Sequence, residues 1–299
     1  MKPVETREAA YLVDDVGAES RMEVGGGPQR TGITRLGRKL GGILAQVTWV
    51  ALGLSLGVGV WQAAAVILGS DVIMPGPATT FDAFRYYMGH SYPTQGYPLW
   101  QHAWFSLERV FLGFAIGVTV GIVLGALMVA IRPIRRTLDP LVEAMRVLPM
   151  IAFIPMFVVW FGIGNQPKIV LIAVAVVPIM IVSVVAALDQ FPEEMVNAAQ
   201  CLGASRWYAL LHVRIRGSAP AILTGMRLSM GVSWGNIVAA EMIVATSGLG
   251  YIVLEAGLYL QTALIFAGII SIVVLGLLCD LVLRLIQRAL DPVRREPQR

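Results

Sequence analysis

The stretch VFLGFAIGVTVGIVLGALMVAI, residues 110–131, decides the fold class of this chain. It contains no charged residue, and about 20 predominantly apolar residues are enough for a helix to cross a bilayer. Of the 299 residues, 57% are hydrophobic and only 14% are charged, whereas about a quarter are charged in a soluble domain. Together with a mean hydropathy of +0.72, these values predict an all-α polytopic membrane protein and exclude a typical soluble enzyme.

Apolar runs of bilayer length predict six transmembrane helices, at 43–69, 110–131, 147–164, 168–188, 220–244 and 263–283. They form a transmembrane domain over 43–283, with a flexible N-terminal tail at 1–42 and a C-terminal tail at 284–299. Of the 23 Lys and Arg residues, 19 lie in these tails and in the loops 132–146 and 189–218. By the positive-inside rule, both termini are therefore predicted to be cytoplasmic. This asymmetry also accounts for the net charge of +4, so no nucleic-acid partner is expected.

The second predicted span carries glycine at every fourth position, at Gly113, Gly117, Gly121 and Gly125. Residues four apart share one face of a helix, so this face has no side chains. In lipid, helices associate by close contact through such small residues. We therefore predict that another helix backbone packs here, and the same pattern on the fifth span predicts a second close contact at Gly231, Gly235 and Ala239.

The fifth span also carries a small and polar stripe at helical spacing, formed by Gly225, Ser229, Ser233, Asn236 and Ala240. Such a stripe can line a water-filled pathway. Arg227 and Glu241 lie in the same span, where a charge must face protein or water. Arg227 either forms a structural ion pair, extends its charged end toward the cytoplasm, or attracts an anion in a pathway. Glu241 either closes helix packing through hydrogen bonds or lines the pathway. Near the inner end of the sixth span, we predict that Asp280 pairs with Arg284.

The chain lacks the residue patterns that support catalysis. No H-E-x-x-H, G-x-S-x-G or dinucleotide-binding motif is present, and Cys201 and Cys279 show no metal-ligand spacing. The three lysines follow Met1, Arg38 and Pro167, so the sequence has no G-x-x-x-x-G-K-[ST] loop for ATP. We predict no catalytic residue, no metal site and no cofactor in this chain. If the chain takes part in an ATP-driven process such as transport, the ATPase is a separate polypeptide.

The loop at 189–218 is predicted to be a helix, a turn and a second helix. Pro192 and the two glutamates after it form a helix-start signal. The first helix runs through Ala198, Ala199 and Leu202, and the small residues at Gly203, Ala204 and Ser205 interrupt it. A rigid protrusion of this kind can enter the cleft of a partner protein.

This loop resembles the cytoplasmic loop of binding-protein-dependent ABC importer permeases. Their E-A-A, G, I, L-P pattern is matched by Asn197-Ala198-Ala199, Gly203, Val213 and Ile215, although Asn197 replaces the Glu and Arg216 replaces the Pro. Other segments in 70–290 resemble the nitrate, sulfonate, taurine and bicarbonate permeases, among them Leu148-Pro149, Trp160-Phe161-Gly162-Ile163-Gly164, Gly225-Met226-Arg227, Ala239-Ala240-Glu241-Met242 and Ser247-Gly248-Leu249-Gly250.

The resemblance implies a type I ABC importer permease in a bacterial inner membrane, with six transmembrane helices per subunit. The implied assembly is a permease homodimer with two cytoplasmic ATPase subunits, which bind ATP and Mg²⁺, and an extracytoplasmic solute-binding protein. The implied ATPase-coupling residues are Ala198, Ala199, Leu202, Gly203, Ala204 and Ser205.

The preferred interpretation is import of a small anion such as taurine, another sulfonate or nitrate. We expect its pathway to be lined by Arg227, Ser229, Ser233, Asn236 and Glu241. The alternative is a secondary transporter or channel that works without an ATPase. Against it, the spans show no paired broken-helix repeat and no mid-membrane carboxylate cluster.

Overall fold

The structure, a computed structural model, describes residues 32–93 and 96–290. Every regular element in these ranges is helical, in the order α1 (Gly32–Leu68), α2 (Pro77–Gly89), α3 (Leu99–Ala130), α4 (Arg132–Val147), α5 (Ile154–Phe161), α6 (Gln166–Asp189), α7 (Glu193–Cys201), α8 (Arg206–Tyr208), α9 (Ile215–Gly217), α10 (Ala219–Val244), α11 (Leu249–Leu258) and α12 (Thr262–Leu290). A 3₁₀ turn (Met150–Phe153) precedes α5, and a π-helical segment (Ala209–Arg214) joins α8 to α9. The chain divides into two compact units between Gly59 and Val60, and α2–α12 all lie in the second.

Four segments are long and apolar enough to cross a membrane: α3, α6, α12 and the Thr48–Leu68 part of α1. Two bent pairs raise the number to six if each pair is one span. In the first, α4 and the segment Met150–Phe161 meet at 90°, and in the second, α10 and α11 meet at 48°. The prediction of an all-α polytopic membrane protein is confirmed.

Several helix boundaries differ from the predicted spans. The second span was expected to begin at 110, but α3 begins at Leu99 because its first turns carry polar residues that are buried in the protein and not in lipid. The third span, expected at 147–164, is part of a bent pair that breaks before Pro149, since proline disfavours a helix at the residue preceding it. Helix α1 begins inside the predicted tail 1–42, and the remaining tail residues, 1–31 and 291–299, lie outside the described residues.

The glycine face of α3 packs against α6. A Cβ added to Gly117 would lie 2.6 Å from the Cβ of Val176 and 2.8 Å from the carbonyl oxygen of Ala173. The other three glycines of this face are equally close to α6, at Ile172, Met180 and Val184. The absence of side chains along this face therefore lets the two helix backbones approach closely.

Among the described residues, no helix packs against Gly231 and Gly235 of α10, where the sequence predicts a second close contact. No atom lies within 4 Å of a Cβ added to either glycine, and this side of α10 is exposed. The side of α10 that packs inward carries Gly225, where a Cβ would meet the side chain of Ser183 in α6. The contact stays a prediction, because glycine spacing marks a face that permits close approach without saying which helix, of this chain or of another, approaches it.

Candidate coupling loop and buried polar core

The predicted coupling loop forms a helix, a tight turn and a second helical stretch. At the end of α7, the N–H of Gly203 donates to the carbonyl of Gln200 at 2.9 Å, and the N–H of Ala204 donates to that of Ala199 at 3.0 Å. This pair of bonds is the Schellman arrangement, which requires a left-handed residue after the helix. Gly203 takes that conformation with φ of 93°. Ser205 then caps α8 by accepting a hydrogen bond from the N–H of Tyr208 at 3.2 Å.

The turn presents an apolar tip to the outside of the chain. Leu202 lies at this turn and is 90% exposed, although a leucine is normally buried. The Schellman bonds fix the backbone on both sides of it. The six predicted coupling residues therefore form one ordered, protruding turn, with a geometry suited to contact with a partner protein.

The loop is fastened to the end of α6. The Arg214 side chain donates from Nε to the carbonyl of Leu188 at 2.7 Å, and the Ser218 hydroxyl donates to the carbonyl of Ala187 at 3.0 Å. Both acceptors are among the last carbonyls of α6, which have no partner within the helix. Movement of the loop would therefore act on α6, the helix that packs against the glycine face of α3.

A cluster of buried polar side chains lies at the N-terminal end of α3. His102, Ser106 and Arg109 share one face of this helix, at spacings of four and three. Arg109 Nη1 lies 2.6 Å from Oε1 of Glu241, and the Ser106 hydroxyl donates to the same carboxylate at 2.8 Å. Arg109 also donates from Nε to Oδ1 of Asn165 at 2.9 Å. Both members of the ion pair are buried, with the Glu241 side chain fully so.

The same residues cap α11 where the chain bends after α10. Three consecutive N–H groups at the start of α11 donate to side chains. They are Gly248 to His102 Nδ1 at 3.0 Å, Leu249 to Ser106 Oγ at 2.8 Å and Gly250 to Glu241 Oε2 at 3.0 Å. Such N–H groups lack partners within their own helix, and a carboxylate is stabilised by them. Gly248 has φ of 120°, and a Cβ there would collide with the Glu241 carboxylate. We call His102, Ser106, Arg109 and Glu241 the polar core.

The loop between α2 and α3 packs over the polar core. His102 Nε2 lies 3.2 Å from the carbonyl oxygen of Tyr92, and the Tyr92 ring packs edge-to-face against Tyr87. Burial raises the pKa of the Tyr92 phenol to about 12. The phenol is therefore neutral at physiological pH, so this cover adds no charge to the core.

The structure assigns contacts to both charged residues of α10. Glu241 forms the hydrogen-bonded carboxyl that was one of its two predicted states. Arg227 pairs through Nε with Oδ1 of Asp280 at 2.8 Å, and Asp280 also pairs with Arg284 at 2.6 Å. The Asp280–Arg284 pair is confirmed. The Arg227 pair is about one-quarter exposed, unlike the polar core.

The polar stripe of α10 is buried in the chain. Each side chain donates to a carbonyl of its own helix: Ser229 to Met226, Ser233 to Ser229 and Asn236 to Val232. Hydrogen bonds of this kind satisfy a hydroxyl or amide without a partner helix or ligand. The pathway role of these three residues, and of Arg227 and Glu241, stays a prediction.

Sequence reasoning found Glu241 but missed its partner. Only four Lys or Arg residues lie outside the tails and basic loops: Arg85, Arg109, Lys168 and Arg227. A carboxylate buried in a span requires a cation, and Arg109 shares a helix face with His102 and Ser106. Elimination among these four, together with that spacing, could have identified Arg109. Lys168 is also buried, and its Nζ donates to the carbonyl of Gly164 at 2.9 Å. Among the described residues, no group of His, Cys, Asp or Glu is arranged to hold a metal.

The described residues form a polytopic helical membrane domain with a protruding helix–turn–helix loop and a buried polar core. Residues 117–296 match the family model described as the inner membrane component of binding-protein-dependent transport systems. The chain belongs to this family and is a permease subunit of an ABC importer, embedded in the membrane by several apolar helices.

The chain is similar to permeases named for taurine and for aliphatic sulfonates, and its fold is similar to that of a methionine transporter. The chain is 39% identical over 241 residues to the taurine transport system permease protein TauC of Escherichia coli (strain K12), covering 80% of this chain and 86% of the relative. It is 30% identical over 237 residues to the putative aliphatic sulfonates transport permease protein SsuC of Bacillus subtilis (strain 168), covering 78% and 83%. The solved structure of the inward-facing MetNI methionine ABC transporter matches the fold with a TM-score of 0.54 at 24% identity, over 64% of this chain and 94% of that one.

Proposed function

We propose that this permease imports a small sulfonate, with taurine as the first candidate. The observation that carries the proposal is the similarity to the taurine permease, at 39% identity over most of both chains. Permeases named for aliphatic sulfonates and nitrate are also similar, at lower identity. Their named solutes share an oxyanion group, a sulfonate or a nitrate, and taurine carries an ammonium group as well. The proposed solute class is therefore a small molecule with a sulfonate or similar oxyanion group.

The proposed assembly contains a second copy of the permease against the exposed side of α10. Leu228 is 64% exposed on this side, next to Gly231 and Gly235. Small residues favour close helix contact in lipid, and no helix of the same chain takes this place. A pathway for the solute would then lie between the two copies, bordered by α10 of each.

Crosslinking can test this arrangement directly. Cys201 is exposed and would first be replaced by Ser, because it could crosslink by itself. Gly231→Cys in that background should give an oxidised dimer in membranes, whereas Leu278→Cys, half-exposed on α12, should not. Equal crosslinking at both positions, or none at Gly231→Cys, would rule out this interface.

ATP hydrolysis is assigned to two separate ATPase subunits, which would bind ATP and Mg²⁺. The support is the absence of an ATP-binding loop in the sequence and the exposed tip at Leu202. Both termini and the coupling loop would be cytoplasmic, by the distribution of Lys and Arg. A solute-binding protein would dock on the opposite, extracytoplasmic side.

The solute can be identified with the whole complex in proteoliposomes. The permease, its ATPase and its binding protein would be reconstituted, and uptake measured for taurine, an alkanesulfonate, nitrate and methionine. Uptake of taurine that requires ATP and the loaded binding protein is the expected result. Uptake of nitrate or methionine but no sulfonate would contradict the proposed solute, and uptake without ATP would favour the secondary-transporter alternative.

A further inference from the structure

A concave pocket opens between the end of α3 and the coupling loop. Its volume is about 340 Å³. The residues that define its character are Val129, Gln200, Arg206, Trp207, Leu210 and Arg214. It lies apart from the polar core, and neither the predicted coupling residues nor the proposed solute pathway accounts for its chemistry.

The pocket is positively charged and lacks a countercharge. The Arg206 side chain has no hydrogen bond or ion pair to any described residue, although its backbone carbonyl accepts from the N–H of Ala209. Arg214 uses its Nε for the carbonyl of Leu188, which leaves its two terminal nitrogens without a partner in the described part of the chain. No carboxylate lines the pocket. Guanidinium groups bind oxyanions, and phosphates in particular, through paired N–H donors.

The other wall of the pocket is apolar and belongs to a membrane span. Val129 is at the last turn of α3, and Leu210 is buried beneath the arginines. Trp207, at the rim, is 52% exposed, and the neighbouring Leu211 is 51% exposed. Tryptophan is enriched where a bilayer meets water. The pocket therefore combines a cationic side with an apolar side at the end of a transmembrane helix.

We propose that this pocket binds the phosphodiester headgroup of an anionic phospholipid from the adjacent leaflet. Basic pockets between transmembrane helices recognise such headgroups. The phosphate would lie between Arg206 and Arg214, and the start of an acyl chain would contact Val129. A free oxyanion would satisfy the arginines but would leave the apolar wall unused, which is why a lipid is the favoured ligand.

The site would link lipid composition to coupling. The headgroup of the bound lipid would contact α8 and the π-helical segment, and its acyl chain would contact α3. The lipid would therefore hold the coupling loop against α3. The leaflet is cytoplasmic if the proposed orientation is correct. Binding itself depends neither on the solute nor on ATP, so a failure of this inference can be told apart from a failure of the proposed function.

Native mass spectrometry of the purified permease complex, without ATP or solute, tests the site. Phosphatidylglycerol and phosphatidylcholine with identical acyl chains would be titrated into the wild type and into Arg206→Gln, Arg214→Gln and the double variant. We expect selective phosphatidylglycerol binding that falls by roughly fivefold for each arginine removed. Arg216→Gln removes a nearby exposed charge outside the pocket and should leave this binding unchanged.

Three outcomes would overturn the proposal. Equal binding of the two lipids would show that the headgroup charge plays no role. Unchanged phosphatidylglycerol binding in Arg206→Gln would show that the lipid does not bind in this pocket. Full displacement of the lipid by inorganic phosphate would assign the site to a free oxyanion. Arg206→Gln is the decisive variant, because the Arg206 side chain is exposed and has no hydrogen bond or ion pair to a described residue, whereas Arg214 also holds the end of α6. We therefore expect Arg206→Gln to fold like the wild type.

Discussion

Arg109 of α3 and Glu241 of α10 lie 132 positions apart in the chain and meet at 2.6 Å between Nη1 and Oε1. Glu241 also accepts hydrogen bonds from Ser106 and from the N–H of Gly250. Through Asn165, Arg109 reaches the loop that precedes α6. One ion pair therefore connects α3, α6, α10 and α11, and it sets the bend that follows α10.

Removal of one member of this pair should destabilise the permease strongly. Glu241→Gln leaves the Arg109 charge buried without a countercharge, a change that costs about 3–5 kcal/mol. Asp280→Asn is the control, because its two pairs, with Arg227 and Arg284, are partly exposed, so its loss should cost less than the loss of the buried Glu241 charge. Thermal unfolding in detergent measures both. Equal losses in the two variants would contradict the structural role of the polar core.

A side chain on the glycine face of α3 should disturb its contact with α6. Gly117→Ala places a Cβ against Val176 and the carbonyl of Ala173, and overpacking of this kind costs about 1–3 kcal/mol. Gly59→Ala in α1 meets nothing within 4 Å and should be neutral or slightly stabilising, since alanine favours a helix over glycine by roughly 1 kcal/mol. Unfolding temperatures compare the two. A Gly117→Ala variant as stable as Gly59→Ala would show that the backbones of α3 and α6 lie farther apart than in this structure.

The exposed leucine at the tip of the coupling loop should matter for assembly and not for stability. Leu202→Ser removes an apolar side chain that is 90% exposed, and such surface changes alter stability by about 0.5 kcal/mol or less. Co-purification of the ATPase subunit should nevertheless fall. Leu258→Ser, 70% exposed at the end of α11, is the control and should retain the ATPase. Retention of the ATPase by Leu202→Ser would remove the tip from the contact.

The turn itself depends on the left-handed conformation of Gly203. Gly203→Ala keeps open space around the new Cβ but forces alanine to φ of 93°, at a cost of about 1–2 kcal/mol. Amide hydrogen exchange at 198–205 should therefore become faster, because the Schellman bonds open more often. Gly89→Ala, at the end of α2 with no neighbour within 4 Å, should not change exchange in that segment. Unchanged exchange in Gly203→Ala would mean that the turn tolerates another geometry.

Features that rest on local spacing could be predicted from the sequence. The contact face of α3 follows from glycine at every fourth position, and the turn after α7 follows from Gly203 and its neighbours. Hydropathy located the spans α6 and α10 within two residues, because apolar residues run along the whole length of both helices. The Asp280–Arg284 pair was predictable for the same reason, since both residues lie on one turn of one helix.

Features that depend on distant partners could not be predicted in this way. The first turns of α3 were assigned to a loop because His102 and Arg109 are polar, and only the folded chain shows that α10 and α11 bury them. The glycines on the outer side of α10 carry the same spacing as those of α3, yet no helix of the chain covers them. Spacing defines a face, whereas the identity of its neighbour is a property of the tertiary structure or of an assembly.

We predict that this permease couples ATP hydrolysis by a partner protein to solute import. The most direct measurement is ATP hydrolysis by the reconstituted complex as taurine-loaded binding protein is added. We predict stimulation by the loaded protein that is lost in Leu202→Ser. A rate of ATP hydrolysis that does not change when taurine-loaded binding protein is added would contradict this coupling. Taurine uptake without any ATPase subunit would contradict it as well.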